Sequence, residues 1–303
     1  MAAYRFFDNP KAGFAAVLKP HRDATVARMA ACQVVLVPQD TTTADDKAVC
    51  LGPKGLGTIK DVRKHPRRLH LSIAFTPQRV CLGVLRAVHW ARDAPCPRAE
   101  RRHRGVDGKE SRHWVGHHLP EMAVNAVLAR EESPPPGAEA LEWLLLTGLP
   151  VASYQPASLV VAWYAVRWCI EVYFHVLKSG CQLKRLHLET DARRLPCLAL
   201  YMVVAWRVLF ALMLGRGCPD ARGEIAFDPK EWKAAYTVVK RCQPPAVPPP
   251  LGEVVAWVAS LGGYLGRKHD GPPGPKARWI GLQRLRDFVI AIDALQSLGE
   301  RCV

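Results

Sequence analysis

Paired cysteines are the first thing that the sequence lacks. It has ten cysteines among 303 residues, yet no two of them form a Cys-x-x-Cys pair. This scatter excludes a zinc ribbon and a regular disulfide framework, so the cysteines are predicted to be reduced thiols of a cytoplasmic protein. The first residues, "MAAYRFFDNPKAG", also lack an apolar run as long as a secretory signal requires.

Acidic side chains are scarce as well. There are 27 Asp and Glu against 42 Lys and Arg, which gives a formal net charge of +15. Such an excess of positive charge favours a polyanionic partner, most often a nucleic acid. A GC-rich genome, which inflates the arginine content, is the alternative explanation.

Long uninterrupted hydrophobic runs are few. The strongest candidate for a membrane span is "LALYMVVAWRVLFALMLG", residues 198–215. This segment is at the lower length limit for a span, and Arg207 interrupts it near the middle. We therefore predict a buried core helix there and no membrane association.

The order of the predicted elements places strands first and helices later. Residues 3–30 are predicted to be helical, and Val34–Val37 to form a strand that ends just before Asp40. "RRLHLSIAFTP" and "VCLGVLRAVHW" alternate like two strands of a meander joined by the turn "TPQR". After a polar loop come two predicted strands, "MAVNAVLAREE" and "LEWLLLTGLP". Two helices are predicted over residues 156–178 and 190–215, and they are followed by a proline-rich linker at 243–250 and a helical tail at 251–298. The predicted fold class is α/β or α+β.

A ribbon of polar side chains marks the helix predicted over residues 156–178. At about 100° per residue, Tyr164, Arg167, Glu171 and Lys178 fall within about 60° of one another. The neighbouring face is apolar and can pack on the core. The ribbon thus places one carboxylate among groups that bind phosphate.

Two interpretations of this ribbon are open on the residues alone. A carboxylate that holds a divalent metal shares it with other hard oxygen ligands, while Arg, Lys and Tyr donate to phosphate oxygens. Alternatively, the ribbon is a solvated face on which Arg167 and Glu171 form an i,i+4 ion pair.

The spacing Tyr164-x2-Arg167-x3-Glu171-x6-Lys178 resembles the Y-R-E-K signature of bacterial cut-and-paste insertion-sequence transposases, the IS-four family with its Tn-five-like members. Further blocks are similar to that family in the family's order: "AAYRFFDNP", "VPQDTTT", "LGTIKD", "GKESRHW", "VNAVLAREE" and "EWLLLT". The tail "LGGYLGRKHDGPPGPKARWIGLQRLRDF" resembles the family's C-terminal dimerisation helices. So many blocks in order make coincidence remote.

The resemblance implies a ribonuclease-H-like core in which three acids, Asp, Asp and Glu (DDE), hold two Mg²⁺ or Mn²⁺ ions. Asp40 matches the first acid and Glu171 the third, so both are predicted as catalytic residues and metal ligands. Tyr164, Arg167 and Lys178 would bind the DNA backbone, and Trp143 would stack on a flipped base. The alternative, purely structural interpretations are a turn-capping role for Asp40 and a core position for Trp143.

The second acid is where the sequence departs from the family. "GKESRHWVGHH" runs almost directly into "LPEMAVNAVLAREE", so a block of about a hundred residues is expected to be missing near 118–120, judged by a domain's usual size. Asp93 and Asp107 are the nearby aspartates, and both precede the missing block. We predict that neither replaces the second acid and that apolar surface is exposed at the gap.

The predicted organisation follows from the resemblance. Residues 1–30 are expected to be the remnant of a truncated N-terminal DNA-binding region, 31–217 an internally deleted ribonuclease-H-like core and 218–303 a dimerisation domain. The chain is predicted to be a catalytically inactive DNA transposase that forms homodimers and binds transposon ends. The alternative is a non-enzymatic inhibitor that forms mixed dimers with a full-length transposase. A third possibility is a nucleic-acid-binding protein in which charge alone matters.

Overall fold

Three antiparallel strands form the sheet that carries Asp40. The computed structural model describes residues 2–43, 68–90, 123–181, 188 and 190–299. Neighbours along the sheet are neighbours in sequence: β1 (Gln39–Thr43), β2 (Arg68–Phe75) and β3 (Cys81–Trp90). The predicted meander is therefore confirmed, and its turn contains Arg79 with a φ of 67°.

The first strand lies further along the chain than the sequence predicts. Val34–Val37 contributes only a single bridge, between Leu36 and Phe75, and the regular ladder starts at Gln39. Pro38 separates the two because it has no N–H to donate to a ladder. As a result Asp40 lies within a strand, not beyond the end of one.

The predicted N-terminal helix over residues 3–30 is two helices, α1 (Ala2–Phe7) and α2 (Phe14–Ala30). Pro10 falls in the connection, where it disfavours the helical conformation of the residue before it. Helix α2 packs on β3 through a buried polar contact, in which His21 Nε2 accepts the N–H of Val84 at 3.0 Å. Burial, and secondarily the charge of Arg28, lowers the pKa of His21 to about 4.

The sheet packs against α4 (Trp168–His175) and the long α5 (Asp191–Gly217). Buried side chains of β2, α4 and α5 form one hydrophobic core, which includes Leu71, Tyr173 and Met202. The hydroxyl of Tyr173 donates to the carbonyl oxygen of Met202 at 2.8 Å. This pairing satisfies the one polar atom that the ring brings into the core.

The C-terminal helices are α6 (Pro229–Lys240), α7 (Leu251–Leu261) and α8 (Pro275–Gly299), and with the second half of α5 they enclose another core. Helices α7 and α8 approach backbone to backbone. A Cβ on Gly281 would lie 1.8 Å from the Val258 carbonyl oxygen, and one on Gly262 would lie 1.7 Å from that of Ala277. Only glycine permits this approach.

A second compact unit comprises Arg92–Ala165. Its strands β4 (Asn125–Arg130) and β5 (Glu142–Thr147) pair antiparallel, and both contact α3 (Tyr154–Ala165). The predicted strand pair is confirmed. Taken together, helices and small antiparallel sheets establish the α+β class, while the ribonuclease-H-like topology stays a prediction.

Among the residues that the structure describes, two helical stretches are long and apolar enough to cross a membrane, Tyr154–Gly180 and Ala192–Gly217. In the most apolar 18-residue segment of the second stretch, 50% of the residues are buried inside the protein, against 28% in the first. Partial burial of this kind is expected for the core helix that the sequence predicts over residues 198–215. The seven cysteines in the described residues carry free thiols, and burial raises the pKa of Cys197 to about 11.

Candidate catalytic site

Asp40 lies on the core-facing side of the three-stranded sheet. It is directly opposite Leu71 of β2, and residues that face each other across antiparallel strands project from the same side of the sheet. Leu71 is fully buried in the core that also contains α4. Asp40 Oδ1 accepts the N–H of Thr41 at 2.7 Å inside the strand, so Asp40 does not cap a turn as the alternative predicted.

Glu171 lies on the exposed side of α4, whose other side is buried through Ile170, Tyr173 and Phe174. Arg167 Nη1 donates to Glu171 Oε1 at 3.2 Å, which is the predicted i,i+4 ion pair. The Arg167 guanidinium also lies over the Trp168 ring, 4.3 Å from its centroid. These contacts hold the Glu171 carboxylate at the surface beside a cation.

The elements that carry the two predicted acids touch each other. Helix α4 contacts β1, and the sheet face that includes Leu69 and Leu71 packs in the same core as Ile170 of α4. Asp40 projects from that face. The first and third predicted acids therefore lie on adjoining elements, and their use as a shared metal site stays a prediction.

The helix predicted over 156–178 is interrupted. Helix α3 ends at Ala165, α4 begins at Trp168, and Val176–Gly180 forms a π-helical turn. Because a π turn winds more loosely than an α-helix, the angular count of about 100° per residue does not extend to Lys178. The predicted single ribbon is wrong as a regular helical stripe, although the contact between Arg167 and Glu171 is present.

Tyr164 and Trp143 lie in the second compact unit, where they contact each other. Their ring centroids are 5.2 Å apart and the planes are inclined by 69°, an edge-to-face arrangement. Trp143 is half-buried on the same strand face as the buried Leu145. This contact fits the packing alternative for Trp143, and its role in DNA binding stays a prediction.

The donor atoms fit one hard cation better than a pair. Asp40 and Glu171 supply carboxylate oxygens, and Mg²⁺ is commonly held by one or two carboxylates together with water. Within residues 2–43, 68–90, 123–181 and 190–299, no cluster of three or more His, Cys, Asp or Glu could hold a metal. Asp93 and Asp107 lie outside the described residues.

The motifs do not single out three exposed residues of β3. Arg86, Val88 and Trp90 project from the sheet face opposite to Asp40, since they alternate with the more buried Ala87 and His89. The alternation in "VCLGVLRAVHW" predicts a strand with one side that faces solvent and one side that faces the core. This pattern is the sequence feature from which the three exposed residues could be identified.

The comparison with known families concerns the C-terminal third of the chain. Residues 203–301 match the family described as Transposase Tn5 dimerisation domain. The match begins within α5 and covers α6, α7 and α8, so it starts earlier than the predicted boundary at residue 218. It supports the relationship of this chain to transposases of the Tn5 and IS4 type, and it supports dimer formation through the C-terminal helices.

Proposed function

We propose that this chain is a DNA transposase of the DDE class by descent, that it binds DNA, and that this copy is catalytically inactive. The observation that carries the proposal is the contact between β1 and α4, with Asp40 on the face of the sheet that packs with α4. The dimerisation-domain match lies in the part of the chain where the Tn5-like resemblance predicts it.

Each predicted residue has a role in this proposal. Asp40 and Glu171 would hold a Mg²⁺ or Mn²⁺ ion, which when bound activates water for attack on a phosphodiester. Arg167 orients Glu171 through their hydrogen bond. Tyr164, Arg167 and Lys178 would donate to phosphate oxygens, and Trp143 would offer a ring face to a base.

Inactivity follows from the number of acids. Two ions that activate the attacking oxygen and steady the leaving oxygen need a carboxylate shared between them. Asp40 and Glu171 alone provide ligands for one weakly held ion. We propose that the second Asp was lost with an internal deletion near residues 118–120.

Metal binding and plasmid nicking test the proposal together. Titrated with Mn²⁺ and followed by electron paramagnetic resonance, the protein is expected to bind one ion weakly, and Asp40→Asn or Glu171→Gln should abolish this binding. Glu139→Gln, an exposed residue between β4 and β5, is the matched control and should bind like the unmodified protein. Mn²⁺ binding that survives both site variants would reject the assignment of the acids.

With supercoiled plasmid and Mg²⁺ or Mn²⁺, nicking should not exceed that of the Glu171→Gln variant. Metal-dependent nicking by the unmodified protein would refute the proposal that this chain is inactive. If Asp40→Asn and Glu171→Gln abolish that nicking while Glu139→Gln retains it, the assignment of Asp40 and Glu171 as the metal-binding acids still holds.

A second function is favoured by the hydrophobic core that α6, α7 and α8 share. A chain that dimerises but does not cut would inhibit an intact transposase by forming mixed dimers. Co-expression with a full-length relative should lower the transposition frequency, and Gly281→Ala, which forces α7 and α8 apart, should restore it. Gly217→Ala, where an added methyl group meets no atom within 4 Å, should leave the inhibition intact. An unchanged transposition frequency would exclude this function.

A further inference from the structure

The sheet that carries Asp40 has a second face, formed by eight described side chains in three rows across the strands. The registers of the two strand pairs place Gln39, Ser72 and Arg86 in one row. The next row is Thr41, His70 and Val88, and the last is Arg68 and Trp90. We call these eight residues the open face. It is the side of the sheet opposite to Leu71 and Asp40.

The open face is basic and largely accessible. Arg86, Val88 and Trp90 are exposed, Trp90 presents 38% of its surface to solvent, and Ser72 is the buried member of the face. Arg68 and Arg86 are its permanent charges, and none of its eight residues is acidic. A surface of this composition is complementary to a polyanion.

The polar side chains on the face are already positioned. His70 Nδ1 lies 2.8 Å from Thr41 Oγ1, and His70 Nε2 lies 3.4 Å from Gln39 Oε1, so the imidazole is fixed between two strands. A groove of about 280 Å³ runs over this region, lined by Gln39, His70, Ser72, Arg86, Val88 and Trp90. An aromatic ring at one end of the groove and a guanidinium at the other are separated by hydrogen-bonding groups.

We propose that the open face binds single-stranded DNA. A base would stack on Trp90, while Arg86 and Arg68 contact phosphates and the amide N–H groups of Gln39, which His70 helps to hold in place, donate to the strand. Base stacking on an exposed aromatic residue, together with backbone contacts from cations, is how proteins bind single strands without reading their sequence.

The dimensions favour one strand over a duplex. Three strands spaced by about 4.8 Å give a platform roughly 10 Å across, which matches the width of one extended strand. Stacking on Trp90 also requires a base that is not paired. A duplex buries its base faces, so it offers only its backbone to this surface.

This surface is distinct from the proposed metal site, because Asp40 projects from the opposite side of the sheet. Binding to the open face therefore needs no divalent ion. A transposase-like chain with such a face would hold unpaired DNA whether or not it can cut.

Fluorescence anisotropy with a short labelled oligothymidylate, in EDTA, tests the proposal. The protein should bind the single strand at least tenfold more tightly than a duplex of equal length. Trp90→Leu, which keeps an apolar side chain but removes the ring, should weaken binding roughly tenfold, the effect expected for one stacked base. Trp90→Phe, which keeps a ring, should recover most of the affinity.

Arg86→Ala tests the phosphate contact separately, because an exposed arginine can be removed without disturbing the fold. It should reduce the slope of log affinity against log salt by about 0.7, the value for one phosphate contact on a single strand. Arg267→Ala, an exposed arginine in the loop between α7 and α8, is the matched control and should leave the slope unchanged.

The proposal fails if the duplex binds as tightly as the single strand, or if neither Trp90→Leu nor Arg86→Ala weakens binding. The double variant Asp40→Asn, Glu171→Gln should bind the oligonucleotide like the unmodified protein. Loss of binding in that variant would assign the single strand to the metal-site face and overturn the open-face assignment, whatever the outcome of the nicking assay.

Discussion

The C-terminal helices and the β4–β5 sheet bury their apolar side chains to very different extents. In the C-terminal region Trp232 and Leu251 are fully buried between α5, α6, α7 and α8. On the outer face of the β4–β5 pair, Leu144 and Leu146 remain 68% and 69% exposed, and the facing Leu128 is exposed as well. The helical core of the C-terminal region is therefore closed, although Ile290, Leu295 and Leu298 of α8 are exposed, whereas the two-stranded sheet has one exposed apolar face, as the proposed internal deletion predicts.

Breaking the close packing of α7 and α8 should have the largest effect. Gly281→Ala places a methyl group 1.8 Å from the Val258 carbonyl oxygen, so the two backbones must separate. We expect a loss of about 3 to 5 kcal/mol in the free energy of unfolding, as for severe overpacking. The dimer should dissociate as well, and denaturant unfolding with size-exclusion chromatography and light scattering measures both effects.

Gly217→Ala is the control for this change. Gly217 ends α5, and an added methyl group there meets no atom within 4 Å. Its free energy of unfolding should stay the same or rise by up to about 1 kcal/mol, because alanine restricts the unfolded chain. If Gly281→Ala is as stable as Gly217→Ala, α7 and α8 do not meet at their backbones.

The packing of α2 on the sheet should depend on pH through His21. Burial lowers its pKa to about 4, so below the ordinary value of 6.5 the unfolded chain binds a proton that the folded chain excludes. Stability from this group is therefore complete above pH 6.5 and is lost as the pH falls to 4. The loss should be about 3 kcal/mol, since each pKa unit corresponds to about 1.4 kcal/mol and the ring is buried.

His21→Gln isolates this contribution, because its amide oxygen can still accept the N–H of Val84 but does not titrate. The difference in the free energy of unfolding between the protein and the variant, followed from pH 7 to pH 4, is the quantity to measure. Parallel pH profiles for the two proteins would show that His21 is accessible to protons in the fold.

The elements that the sequence predicts well are those with a strong local pattern. The alternation in β2 and β3 and the apolar run of α5 gave elements of the right type. Local backbone chemistry explains the errors: Pro38 displaces the first strand, and Pro10 divides the N-terminal helix. Helix α6 was not predicted from the sequence. Its start nevertheless has a typical pattern, in which Asp228 is followed by Pro229 and, three residues after the Asp, by Glu231.

The candidate site contains one contact that follows from local sequence spacing and one placement that depends on long-range strand pairing. The spacing of Arg167 and Glu171 sufficed to predict their contact, because an i,i+4 pair depends only on the local helix. The placement of Asp40 on the face that packs with α4 depends on pairing with β2, which lies about thirty residues away in sequence. A regular helical count also omits the interruption before α4 and the π turn that contains Lys178.

Removing the charge link between α5 and α6 should have an intermediate effect. Glu231 accepts the N–H of Asp228 at 3.0 Å and also pairs with Arg207 of α5 at 2.6 Å, so it both caps α6 and ties it to α5. Glu231→Ala should lower the free energy of unfolding by about 1 to 1.5 kcal/mol. Glu231→Gln, which keeps the capping oxygen, should lose about half as much, and equal losses in the two variants would show that the cap contributes nothing.

The smallest effect on stability is expected at the uncovered face of the β4–β5 sheet. Leu144→Thr replaces an exposed leucine with a residue that favours strands, so the free energy of unfolding should change by less than about 0.5 kcal/mol. Aggregation followed by light scattering should decrease, because the exposed apolar patch becomes smaller. Leu145→Thr, at the buried position next to it, should cost about 2 kcal/mol or more by the same measurement. If Leu144→Thr is as destabilising as Leu145→Thr, the outer face is covered in solution, and the contrast between the closed C-terminal region and the open sheet disappears.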